Sequence, residues 1–358
     1  MFRLRPITGR SPGALLALAA GLTLACAGPG AAQESEDEPE GFAPERPERS
    51  AAQLDDVGNE GTGVFHLNQA AADAVNQDNV LVAALVEGTG AAFADGATTQ
   101  ANAGLDLAFA GGDANIAGTA NEARGIVGIN QSAASGSSQG NLVGLALARG
   151  EDGLAVASLA ATARAQPQAW AEGAFAVGPA GASSVSLSDS GNAASGILQA
   201  NQAAGAGAAQ ANIAAIAVAE NGFALADALA DVPAGGGEGH GDLPVPAGSA
   251  AITGSFNGAS GLVQLNQAAG SGNAQTNLFA AAFGTHASAS AIPEAGLGEM
   301  RPVPAGDAQA QDEEAGAQLS IADSFAGFTG VAQVSQVVGH GNQTANTVSV
   351  SVSRGPGL

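Results

Sequence analysis

The strongest constraint on the fold of this chain is a pattern that occurs five times with fixed internal spacing. An Asn-Gln dipeptide, replaced once by Ser-Gln, begins at positions 68, 130, 201, 266 and 335, and a Gly stands five residues before each one. An Asn follows eleven residues after the start of each dipeptide, and a Gln follows nine residues after it in all copies except the last, which has Thr344. Copies with the same internal offsets indicate a repeat protein rather than one globular core.

The recurring amides are the residues that we expect to align when the copies stack. Stacking in register places identical side chains above one another, where Asn and Gln can pair and like charges repel. Consistent with this, residues 249–284 contain no charged side chain, and residues 319–353 contain only Asp323. The alternative is that these amides only solvate turns and strand ends. The predicted ladder residues are Asn68, Gln69, Gln77, Asn79, Asn130, Gln131, Gln139, Asn141, Asn201, Gln202, Gln210, Asn212, Asn266, Gln267, Gln275, Asn277, Ser335, Gln336 and Asn346.

The alternation of side chains within a copy has the period of a β-strand. Residues 261–267 give two distinct faces with a period of two, and Gly270–Asn273 then supplies residues that suit a tight turn. Alanine-rich stretches such as 214–230 leave a helical alternative between the repeats. We predict an all-β fold, a five-repeat β-solenoid or cross-β stack of strand-turn-strand units with flexible linkers. The repeats span residues 57–85, 119–148, 190–219, 255–284 and 321–353.

The composition excludes several classes of function. The chain has 358 residues, a net charge of −23 and no Lys, so its field repels nucleic acid. Aromatic residues make up only 4%, and much of the apolar content is Ala, which leaves little side-chain volume for a conventional enzyme core. We expect an acidic protein with a thin interior of small residues and no nucleic-acid partner.

The first residues have the pattern of an export signal. Basic residues at Arg3, Arg5 and Arg10 precede an apolar run that ends at Ala27, which predicts a signal peptide over residues 1–27. Acylation of Cys26 is an alternative use of this segment. The acidic, Pro-containing residues 28–56 are predicted to be disordered.

The sequence offers no catalytic or metal-binding constellation. The four histidines, His66, His240, His286 and His340, have no paired spacing, and no Ser lies in the strand-turn-helix context of a nucleophile. Residues 235–242 faintly match a Gly/Asp-rich calcium loop but occur once, whereas such loops repeat. We therefore predict a protein that is not an enzyme and has no cofactor and no metal site.

The run Asn266–Asn277, with its copy ending in 341–346, resembles the repeats of Fap-type functional-amyloid fibril subunits and, more distantly, curlin repeats. The resemblance implies a secreted structural protein, exported through the periplasm and outer-membrane machinery, that self-associates or joins other fibre subunits in a biofilm matrix or on the cell surface. This sequence departs from the pattern at Ala72 and Ala74, which replace the turn glycines of the first copy. Two alternatives are a cell-surface β-solenoid adhesin that does not polymerise and a calcium-responsive secreted protein.

Overall fold

The computed structural model describes residues 50–71, 75–102, 112–150, 153–165, 183–231, 248–293, 318–340 and 342–354. Within these ranges the regular structure is entirely β, which confirms the predicted all-β class. The predicted signal peptide, residues 28–49, the Gly/Asp-rich segment 235–242 and the linker residues 103–111, 166–182, 232–247 and 294–317 lie outside the described residues. The described part contains no helix long and apolar enough to span a membrane.

The strands of the described residues, numbered in chain order, form four sheets that we name A to D. Sheet A contains β1 (Ser50–Asp55), β5 (Gly112–Ala117), β9 (Ser183–Ser188), β13 (Gly248–Thr253) and β17 (Gln318–Ala322). Sheet B contains β2 (Thr62–Ala70), β6 (Arg124–Ser135), β10 (Ser195–Ala206), β14 (Ser260–Ser271) and β18 (Thr329–His340). Sheet C contains β3 (Asn76–Glu87), β7 (Ser138–Arg149), β11 (Ala209–Ala219), β15 (Ala274–Gly284) and β19 (Gln343–Ser353). Sheet D contains β4 (Ala91–Asn102), β8 (Gly153–Ala165), β12 (Gly222–Asp231) and β16 (His286–Pro293).

Each sheet is built by stacking strands that are far apart in sequence. All neighbouring strands are parallel, and each pairs with the next in the order of the chain. We call the consecutive strands at one level of the stack a layer: layers 1 to 5 comprise residues 50–102, 112–165, 183–231, 248–293 and 318–354. A parallel sheet of this kind has its backbone hydrogen bonds along the stacking direction, so each layer satisfies the strand edges of the next.

The strand register of the sheets places residues at the same offset of the sequence repeat opposite one another. In sheet B, Asn201 lies opposite Asn130 in the layer before it and Asn266 in the layer after it. In sheet C, Gln210 lies in the same way between Gln139 and Gln275. Residues at one offset therefore form a column along the stack, and we name each column by its residue in layer 1.

A glycine column shows how closely the layers approach. The glycines five residues before each dipeptide have φ between 113° and 138°. A Cβ placed on Gly125, Gly196, Gly261 or Gly330 would lie 2.0–2.1 Å from the carbonyl oxygen of the glycine in the preceding layer. Neither the backbone angle nor the available space accommodates a side chain there.

The interior is divided between three interfaces. Sheets A and B enclose branched residues such as Ile116, Leu187 and Ile252, and sheets B and C enclose Ile126, Ile197, Leu262 and neighbours. Sheets C and D meet almost entirely through alanines. Alanine on both facing surfaces lets two sheets lie close together, so this interface is thin, as the composition predicts.

Several segments differ from the prediction. Residues 50–55, at the end of the predicted disordered segment 28–56, form β1, and the intervening stretches predicted as flexible linkers contain strands of sheets A and D. Layers 1 to 4 thus have four strands, whereas the predicted unit had strand, turn and strand. The helical alternative for residues 214–230 is wrong, since residues 214–219 lie in β11 and residues 222–230 lie in β12. The reason is that layer-to-layer backbone hydrogen bonds stabilise Ala-rich strands whose own β-propensity is low.

Candidate functional site

Two asparagine columns form a buried zipper between sheets B and C. In the column of Asn68, the Nδ2 of each Asn donates to the Oδ1 of the Asn in the preceding layer at 2.9–3.0 Å. The column of Asn79 has the same direction over all five layers, with distances of 2.8–3.0 Å. Within a layer the second column donates to the first, as Asn212 Nδ2 does to Asn201 Oδ1 at 3.0 Å.

Two glutamine columns flank the zipper. The column of Gln69 donates toward the preceding layer at 2.7–3.1 Å, and each Nε2 also donates to a backbone carbonyl of sheet A. The column of Gln77 runs in the opposite direction, because Gln77, Gln139 and Gln210 donate to the next layer at 2.7–2.8 Å. These contacts connect sheets A, B and C through side chains as well as through the backbone.

The columns end differently in the last layer. Ser335 takes the place of Asn in the first column, and its Oγ accepts a hydrogen bond from Asn346 at 3.0 Å. Thr344 takes the place of Gln, and its Oγ1 is buried without a partner in the described residues. Layer 5 therefore interrupts two of the four predicted columns.

A further glutamine column was missed in the sequence. Gln199 donates to Gln264 and Gln264 donates to Gln333, both at 2.8 Å, and each also donates to backbone carbonyls of sheet C. The available signal is a Gln two residues before the central dipeptide in three copies. His66 and Gly128 occupy this offset in the first two layers, which hides the pattern.

These amides are buried rather than placed at solvated turns. The Asn residues of both columns in layers 2 to 4 are at most 1% exposed, and so are the Gln residues of the predicted columns there. A buried amide is costly unless its donors and acceptors are paired, and here neighbouring layers supply the partners. His66, at the layer 1 end of the missed column, is half-buried, and desolvation lowers its pKa below 6.5.

A second set of ladders follows the turn between sheets A and B. The Oδ1 of Asn59, Asn121, Asn192 and Asn257 accepts the backbone N–H at the same offset in the next layer at 2.7–2.8 Å. The hydroxyls of Ser190, Ser255 and Ser324 accept a backbone N–H from the preceding layer at 3.0–3.2 Å. Side chains thus fix the turns of successive layers against each other.

The site can order one layer upon another, and its chemistry is that of neutral hydrogen-bonding groups. Within the described ranges no group of three or more His, Cys, Asp or Glu side chains could hold a metal ion. In the part of the chain that the structure describes, the open elements are the strand edges and amide columns at both ends of the stack, in layer 1 and layer 5.

Comparison with known proteins identifies a family. A family model described as "Functional amyloid protein FapB/FapC family" matches residues 30–219 and 176–353, two overlapping regions that cover most of the chain. No curated protein and no solved structure matches the chain.

Proposed function

The chain belongs to the FapB/FapC family of functional amyloid proteins, and on that premise we propose that it is an exported structural protein whose copies assemble into extracellular amyloid-like fibres. In this proposal the five repeats are the rungs of a β-solenoid, and the side-chain columns continue from one copy to the next as the ladders of the fibre, with Ser335 and Thr344 replacing the amides of two columns in layer 5. The fibres serve the biofilm matrix or the attachment of cells to surfaces. The chain reaches the outside through the periplasm, and it has a mechanical rather than a catalytic role.

The observation that carries the proposal is the buried amide zipper that runs the length of the stack. In the middle layers, Asn201 donates to Asn130 and accepts from Asn266, so its amide is paired on both sides. At an end layer one of these partners is absent from the described residues. Addition of another copy pairs these groups and the open strand edges, which is the driving force of cross-β growth.

Fibre diffraction of the secreted chain, residues 28–358, tests the proposal directly. We expect reflections at about 4.7–4.8 Å along the fibre and about 10 Å across it, and binding of an amyloid dye. A product of fixed molecular mass whose strand content does not depend on concentration would reject fibre formation and favour the adhesin.

An Asn→Asp substitution links the fibre to the zipper. Asn201→Asp places a carboxylate at a position that is 0% exposed, so we expect assembly to fail near neutral pH and to recover when the carboxyl is protonated. Asn221→Asp is the matched control, because Asn221 is exposed in the turn between β11 and β12 and tolerates the same charge. Equal assembly of both variants at neutral pH would mean that fibre formation does not require the zipper.

A further inference from the structure

The two ends of the stack differ in charge and shape, and this difference specifies how copies meet. We propose that the layer 5 end of one copy binds the layer 1 end of a second copy, in the register that continues the columns of sheets A, B and C, with Arg354 placed beside Glu87 of that second copy. The proposal rests on the proposed function and adds the polarity, the register and the specificity pair of the junction.

The sheets themselves require this polarity. Every strand pair is parallel, and each strand lies between the corresponding strands of the layers before and after it. Continuing this geometry beyond β18 and β19 puts the next copy's β2 and β3 in place. A two-fold arrangement, layer 1 against layer 1 or layer 5 against layer 5, would instead reverse either the strand direction or the order of the sheets, and both changes break the columns.

Charge opposes the meeting of two layer 1 ends. The described residues of layer 1 carry six acids and no Lys or Arg, whereas those of layer 5 carry one acid, Asp323, and one base, Arg354. Two layer 1 ends brought together would place acidic faces against each other, which costs free energy. The acids of layer 1 are Asp55, Asp56, Glu60, Asp78, Glu87 and Asp95.

One column alternates in charge over layers 1 to 3 and has opposite charges at its two ends. Glu87 lies opposite Arg149 in register. The same offset holds Glu220, Thr285 and Arg354, since Ala219 pairs with Ala148 and Ser353 pairs with Gly284 in the preceding positions. Both Glu87 and Arg354 are exposed. Joining layer 5 to layer 1 places Arg354 next to Glu87, so the charge complementarity found inside the chain is repeated between copies.

Apolar side chains in a neighbouring column match across the same junction. Val352 and Leu85 share the column that runs through Phe283, Val218 and Leu147. Val352 is 48% exposed at the layer 5 end and Leu85 is 52% exposed at the layer 1 end. Contact between copies covers part of both side chains and removes that apolar surface from water.

The glycine column provides an independent steric probe of the register. A Cβ on Gly125 would lie 2.0 Å from the carbonyl oxygen of Gly63, whereas a Cβ on Gly63 meets nothing within 4 Å. In the proposed junction, the carbonyl oxygen of Gly330 in the first copy takes the corresponding place below Gly63 of the second copy. A methyl group at position 63 therefore obstructs the junction and not the single chain.

Seeded elongation of the secreted chain tests the charge pair. Arg354→Glu faces Glu87 of the next copy but has Thr285 as its neighbour within the chain. We expect at least about a fivefold slower elongation on seeds of the same variant at low salt, and a difference that shrinks to about twofold or less at high salt. The matched control is Arg124→Glu, which makes the same charge change at an exposed position between Thr62 and Ser195 in the interior of the stack.

A second pair of variants does not depend on charge. Gly63→Ala is expected to elongate at least about tenfold more slowly than Gly258→Ala, whose position also has positive φ and open space but leaves the end faces unchanged. Two results would overturn the proposed junction. One is an elongation rate of Arg354→Glu within about twofold of that of Arg124→Glu at low salt. The other is an elongation rate of Gly63→Ala within about twofold of that of Gly258→Ala. Wild-type fibres together with such rates reject the junction alone. Absence of fibres from the wild-type chain rejects the proposed function and the junction with it.

Discussion

Replacement of Gly196 by Ala measures the cost of separating two layers. Gly196 has φ of 123°, and a Cβ at this position would lie 2.0 Å from the carbonyl oxygen of Gly125. Real Cβ atoms essentially never approach a heavy atom closer than 3.0 Å. The substitution therefore forces the two strands to move apart or to change their backbone angles.

The expected destabilisation has two parts. Holding Ala at this φ costs about 1–3 kcal/mol. Moving the strands apart by about 1 Å lengthens the neighbouring backbone hydrogen bonds beyond their usual limit, and loss of two or three such bonds costs roughly 1–4 kcal/mol more. We expect a total of about 2–7 kcal/mol for Gly196→Ala.

Gly63→Ala is the matched control, because it has a similar φ of 113° but no atom within 4 Å of the added methyl. Only the backbone part of the cost applies, so we expect about 1–3 kcal/mol. Guanidinium unfolding of dilute monomer, followed by far-ultraviolet circular dichroism, gives both values. Equal destabilisation by the two substitutions would refute the close approach of the layers as its cause.

Three further predictions follow from individual columns. Thr344→Gln completes the column of Gln77 and removes a buried hydroxyl without a partner, so the free energy of unfolding should rise by about 1 kcal/mol, and a decrease would contradict the proposed ladder. Burial lowers the pKa of His66, so the unfolded chain binds more protons than the folded chain at mildly acidic pH. The free energy of unfolding should therefore be retained above about pH 6.5 and fall as the pH decreases below it. Unfolding midpoints at several pH values should show a smaller fall for His66→Gln. One column consists of Asp56, Gly118, Asp189, Gly254 and Asp323, and in it the Oδ1 of Asp56 and of Asp189 occupies the space beside the Gly of the next layer. The proposed junction would place Asp323 of one copy against Asp56 of the next, where no Gly leaves that space. Asp323→Gly should therefore speed seeded elongation, and slower elongation would count against that register.

The parts of the fold that carry hydrogen-bonding columns could be predicted from the sequence. A buried amide needs an equivalent partner in the next layer, so Asn201 and its counterparts recur at one offset, and that offset equals the register of sheets B and C. The close approach of the backbones at Gly196 imposes a similar constraint in layers 2 to 5, and positive φ favours Gly at that position in every copy. Spacing in the sequence thus reflects contacts between layers.

The strands of sheet D could not be predicted in this way. Their inner residues, such as Ala155, Ala224 and Ala226, pack on other alanines and need no specific partner. Their outer residues differ from layer to layer, as with Phe93, Val156 and Leu225 in one column. Without a hydrogen-bonding column there is no repeated landmark, and an Ala-rich sequence indicates a strand only weakly.

The opposing directions of the amide columns have a consequence for long assemblies. The columns of Asn68, Gln69 and Asn79 donate toward layer 1, while those of Gln77 and the Gln199 series donate toward layer 5. Their dipoles partly cancel along the axis, unlike the peptide dipoles of an α-helix, which add from end to end. Opposing columns therefore lower the partial charge that these side chains place at a terminus, and in the proposed fibre a filament of any length offers an arriving subunit nearly the same electrostatic environment.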